Sequence, residues 1–78
     1  MTIKIIGYNN KKGLKLRNNV VNVVNSIPSK VTIKFEENNN SEPILYIDDI
    51  LVCKGKVISE KRLLKYLKKR YKDIPPML

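Results

Sequence analysis

Apolar and polar residues alternate along the first segment of the chain, where Ile3 and Ile5 are separated by Lys4, and Ile6 and Gly7 follow. A period of two predicts a β-strand over residues 2–8. The pattern then changes. Leu16, Val20, Val23, Val24 and Ile27 recur at three- and four-residue spacing, which predicts a helix from Lys11 or Lys12 to about Ser26. Asn10 is placed to cap it, and Ile27-Pro28 to end it, because the residue before a proline avoids helical backbone angles. The valines in this helix restrict their own rotamers against the preceding turn, so burial has to compensate. Alternation returns over residues 30–36, with Val31, Ile33 and Phe35 against Thr32 and Lys34. A polar loop over 37–41 precedes Pro43 and a third strand over 44–47. Asp48-Asp49 turns the chain into a fourth strand over 50–54, giving an antiparallel hairpin closed by Gly55. Ser59 caps a final helix running to about Tyr71, with Glu60 in its positive first turn and Leu63, Leu64, Leu67 and Tyr71 on its inward stripe.

The order β-α-β-β-β-α predicts an α/β domain of two or three layers, with a right-handed parallel crossover through the first helix. With 78 residues, this is one domain over 1–72 and a non-helical tail over 73–78. A chain of this size buries only about 60–65% of its unfolded surface, so the core is thin.

Composition removes several kinds of chemistry. Histidine is absent and Cys53 is the single cysteine, which excludes the commonest general base, an intramolecular disulfide and a cysteine-based metal cluster. No cofactor is implied. The acid pairs Glu36-Glu37 and Asp48-Asp49 adjoin polar turns and lack further ligands, which fits turn residues better than an acid–base or metal pair. The net charge of +9, from 16 Lys and Arg against 7 Asp and Glu, suits attraction to a polyanion, although spread-out bases also serve simply as a solvated surface. No stretch approaches the roughly 20 apolar residues of a membrane span, and no membrane association is expected. A free cysteine with no visible export signal points to the cytoplasm.

Taken in order, these segments resemble the small glutaredoxin-like proteins of archaea and bacteria called redox-active disulfide proteins. That family opens with a strand and a Gly-x-Gly-Cys-x-x-Cys turn into its first helix; the matching stretch here is Gly7-Tyr8-Asn9-Asn10-Lys11-Lys12-Gly13, followed by Leu16, Val20 and Val24 at the family's apolar positions. Ser41-Glu42-Pro43-Ile44-Leu45-Tyr46-Ile47-Asp48 resembles its Ser-x-Pro-x-Leu-x-Ile-Asp segment. Gly55, Val57 and Ser59 resemble the glycine and helix-cap pattern that follows. The resemblance implies a thioredoxin-like sheet in which the second and third strands flank the first, and a cis peptide before Pro43. A meander of strands two, three and four, leaving the first at an edge, is the alternative topology.

Two departures bear on function. Asn10 and Gly13 stand where the family has its cysteines, and disulfide exchange needs a low-pKa thiolate at that helix start and a second thiol to resolve the mixed disulfide. The family's short helix between the second and third strands also has no room here. The expectation is therefore a degenerate thioredoxin-like domain without oxidoreductase activity, acting as a non-catalytic binding or accessory protein. Its candidate site joins the degenerate turn (Asn10, Lys11, Lys12, Gly13), which offers free helix amides beside two lysines, to the proline edge (Glu42, Pro43), where a protein or peptide partner would dock. Each part has a plain alternative, as a solvated turn and a retained fold element. Two other functional readings are carried forward. One is nucleic-acid binding through the basic side of the last helix, where Lys61, Lys65, Lys68 and Lys72 share a face near Tyr66 and Tyr71. The other is a monothiol redox role for Cys53, set against a cysteine that is only a small hydrophobe.

Overall fold

The computed structural model describes residues 1–7, 10–28, 30–37 and 42–70. Its elements are β1 (Thr2–Ile6), α1 (Lys11–Ser26), β2 (Thr32–Glu36), β3 (Ile44–Ile47), β4 (Ile50–Lys54) and α2 (Glu60–Arg70). The expected ends at Tyr8 and Tyr71, the Lys72 position and the tail over 73–78 lie outside the described residues.

Local chemistry accounts for the element boundaries. The Asn10 side chain accepts the Gly13 N–H at 2.7 Å, satisfying one of the amides that a helix start leaves without a partner. At the other end Ile27 is already extended, with φ −108° and ψ 148°, immediately before Pro28. Ser59 Oγ accepts the Arg62 N–H at 3.2 Å and caps α2 as expected. Asp48 and Asp49 both take positive φ, 49° and 67°, which is the backbone twist a two-residue hairpin loop requires. Asp48 also ties the turn down, since its Oδ1 accepts the Thr2 N–H at 2.8 Å.

The four strands form one sheet in the order β2-β1-β3-β4. β1 runs parallel to β2, pairing Ile3 with Ile33 and Ile5 with Phe35, and antiparallel to β3, pairing Ile3 with Ile47 and Ile5 with Leu45. β1 is therefore central, and the meander that would have put it at an edge is excluded. The register sets Ile3, Ile5, Leu45 and Ile47 on one face, all fully buried. Leu16, Val20 and Val23 of α1, Ile27 just beyond its end, and Leu63 and Leu67 of α2 join them in a single core. Val24 and Leu64, expected on the same stripes, are half-buried at its margin. Both helices thus cover the same side of the sheet and touch one another. Asn19 Nδ2 donates to the Ile58 carbonyl at 3.0 Å and fastens α1 to the segment leading into α2.

β2 is an edge strand, and its apolar face is only partly covered. Ile33 is half-buried, and Phe35 is 44% exposed, with the Arg17 guanidinium 5.9 Å from its ring centroid.

One expectation is overturned. The peptide bond between Glu42 and Pro43 is trans. An X–Pro amide prefers trans by about 0.5–1 kcal/mol. The trans form satisfies this site, because the Pro43 ring is fully buried and its carbonyl accepts the Gly55 N–H at 2.8 Å.

Candidate functional site

The degenerate turn and the proline edge come together in space. Asn10, Lys11 and Lys12 at the start of α1 and Glu42 and Gly55 beside β3 line one open cleft of about 360 Å³. Central β1 delivers the chain to the start of α1, and adjacent β3 begins at the same end of the sheet. Gly13 and Pro43, the other residues expected here, are buried behind this surface: Gly13 supplies the capped amide, and Pro43 forms part of the packed base of β3. Of the six residues expected at the site, four therefore line the cleft and two support it.

The cleft's electrostatics are mixed. α1 carries no acid in its first turn, so the partial positive charge of its N-terminus is reinforced by Lys11 and Lys12. Among the described residues the one carboxylate on the wall is Glu42, which reaches across to Gly55: a Cβ built on Gly55 would sit 3.3 Å from Glu42 Cδ. Gly55 holds φ +73° there, a conformation that favours glycine. In the sequence Gly55 reads as the end of a hairpin and as the glycine of the pattern before the last helix; its place on the cleft wall follows from β4 lying next to β3. No thiol lines this cleft, so the arrangement offers hydrogen-bond donors and charge rather than a nucleophile.

Cys53 lies elsewhere. β3 and β4 are in register at Leu45–Cys53 and again at Tyr46–Leu51, which leaves Val52 as an extra, bulged residue. The bulge turns Cys53 onto the same face as Leu45, where it is half-buried and its Sγ–H donates to the Lys56 carbonyl at 3.6 Å. Burial pushes its pKa up, against smaller lowering effects from backbone groups of Ile58 and Leu45. A thiol in this state is a poor nucleophile near neutral pH.

On α2, Lys61, Lys65 and Lys68 do share one side, around Leu64, along a shallow groove of about 410 Å³. Tyr66 packs half-buried against the core, and Tyr71 and Lys72 lie outside the described residues. Among the described residues no helix is long and apolar enough to cross a membrane, and no group of three or more His, Cys, Asp or Glu is placed to hold a metal ion.

Compared with known proteins, the chain matches no family model, no curated protein and no solved structure.

Proposed function

We propose that this chain is a thioredoxin-like domain without disulfide chemistry. More particularly, it is a non-catalytic binding protein whose ligand site is the cleft at the start of α1. The observation that carries this reading is the convergence of Asn10, Lys11 and Lys12 with Glu42 and Gly55 on one cleft. In the resemblance, that is where a disulfide would meet its protein substrate; here Asn10 and Gly13 occupy the positions of the thiols. The ligand is an extended segment of a partner protein presenting a carboxylate to the helix N-terminus and the two lysines, with Glu42 selecting against a second acid beside it. The Pro43 carbonyl is already committed to Gly55, so recognition falls to side chains and helix amides rather than to that carbonyl.

The test is a titration of ¹⁵N-labelled protein with an acidic, extended peptide, alongside an insulin-reduction assay. The reading expects amide shifts at Lys11, Lys12, Glu42 and Gly55 and no reductase activity above buffer. Shifts confined to other surfaces, or measurable reductase activity, would contradict it.

A further inference from the structure

The face of the sheet opposite the two helices carries a pattern that a merely solvated surface does not need. Strand register places Lys34, Lys4, Tyr46 and Leu51 in one row across all four strands, and Glu36, Ile6, Ile44 and Lys54 in the next. Leu51 is 52% exposed, although its neighbours in sequence, Val52 and Cys53, are half-buried. Leu51 faces this side as the partner of Tyr46, and the Val52 bulge beyond it is what brings Lys54 to the same side. Lys4 Nζ stands 5.5 Å from the Tyr46 ring centroid, so the ring turns a π-face toward a cation on the neighbouring central strand. With strands about 4.8 Å apart, the row from Lys34 to Leu51 spans about 14 Å.

We propose that this open sheet face binds single-stranded nucleic acid, with Tyr46 as the platform for a base and Lys4, Lys34 and Lys54 as phosphate contacts. The occupant follows from the chemistry of the rows. Three lysines against one glutamate call for an anion, while the aromatic ring and the aliphatic groups of Ile6, Ile44 and Leu51 call for flat apolar surfaces alongside it. A nucleic-acid strand supplies both. Stacking on an aromatic side chain is tolerant of sequence, and a four-stranded sheet is a recurrent support for unpaired bases. An arriving base takes the place of the Lys4 ammonium on the Tyr46 ring and frees that lysine for the adjoining phosphate. A duplex hides its base faces, and a broad sheet does not enter its grooves. A second copy of this face would set lysine against lysine. The proposal is independent of the cleft at α1 and names a surface distinct from the basic stripe of α2.

Fluorescence anisotropy with a labelled oligouridylate of about a dozen nucleotides tests it, with salt varied from about 50 to 200 mM. Tyr46→Ala is expected to weaken binding by roughly tenfold, the loss of one stacked base, while Tyr46→Phe stays near wild type. Lys4→Gln and Lys34→Gln should each flatten the salt dependence by about 0.7 of a logarithmic unit per tenfold change in salt. Leu51→Glu, at an exposed position, keeps the test open if Tyr46→Ala does not fold, and should also weaken binding. The proposal is overturned if the oligonucleotide does not bind, if a duplex competes equally well, or if only vesicles of anionic lipid bind. It also fails if Lys61→Gln with Lys65→Gln abolishes binding while the sheet substitutions leave it intact.

Discussion

Gly55→Ala probes the wall of the cleft through a backbone conformation. Gly55 holds φ +73°, and its N–H donates to the Pro43 carbonyl at 2.8 Å, so the hairpin's last residue locks the entry to β3. Alanine keeps that donor but brings a Cβ into left-handed backbone space, at about 1–2 kcal/mol. The new Cβ also meets the Glu42 carboxyl group, with Cδ at 3.3 Å and the two oxygens at 3.4 and 3.5 Å. These atoms end a flexible, exposed side chain that can swing into solvent, so crowding adds little. For a domain of this size about 1–2 kcal/mol corresponds to a fall in Tm of roughly 4–16 °C. Reversible thermal unfolding, followed by far-ultraviolet circular dichroism, reads it directly. The same substitution in a Glu42→Ala background separates the two causes: backbone strain leaves the loss unchanged. A change in Tm below about 1 °C, or a loss that disappears when Glu42 is removed, would refute the reasoning.

Other outcomes follow from the same geometry. Asn10→Ala removes the cap on the Gly13 amide and should cost about 1 kcal/mol in urea unfolding, with Asn10→Ser recovering most of it. Leu16→Ala opens a cavity where α1 meets the sheet, and a loss of about 2–5 kcal/mol is expected by the same method. Cys53 is held by burial above the ordinary pKa of a cysteine thiol, about 8.5. The unfolded chain therefore loses the thiol proton first as pH rises, and the stability this residue contributes is complete well below about 8.5 and drains away above it. The stability gap between wild type and Cys53→Ala should accordingly narrow between about pH 7 and pH 10, and a constant gap would contradict the assignment.

The elements that depend on local signals were legible. Asn10, Pro28 and Ser59 mark helix ends by chemistry that acts within a few residues, and the Asp48-Asp49 turn fixes a hairpin whose strands are adjacent in sequence. Strand order was legible only as a choice between two arrangements. Ile3, Ile5 and Ile6 make β1 apolar enough for either a central or an edge position, and pairing across the sheet is decided by contacts distant in sequence. The facing of Cys53 was closed to a simple alternation rule because Val52 is bulged, which reverses the side of everything beyond it on β4. The row of Lys34, Lys4, Tyr46 and Leu51 is hidden for another reason, since its members lie on four different strands. The cleft was the most legible part of the candidate site. Its two halves were identified separately, by a helix start and by a proline before a strand, and β1 and β3 lying side by side bring them together. The peptide bond before Pro43 is where the resemblance misled, since a buried proline ring and a paired carbonyl are compatible with the commoner isomer.

The central claim is that the turn at the start of α1 is a thioredoxin-type site from which the thiols are missing. Returning them by the double substitution Asn10→Cys and Gly13→Cys, and titrating the thiol at position 10 by its ultraviolet absorbance, tests this most directly. The helix N-terminus and the neighbouring lysines should hold that thiol clearly below the ordinary value of about 8.5, and mild oxidation should join the pair within one chain. A thiol that titrates at or above about 8.5, or a pair that links only between chains, would contradict the account.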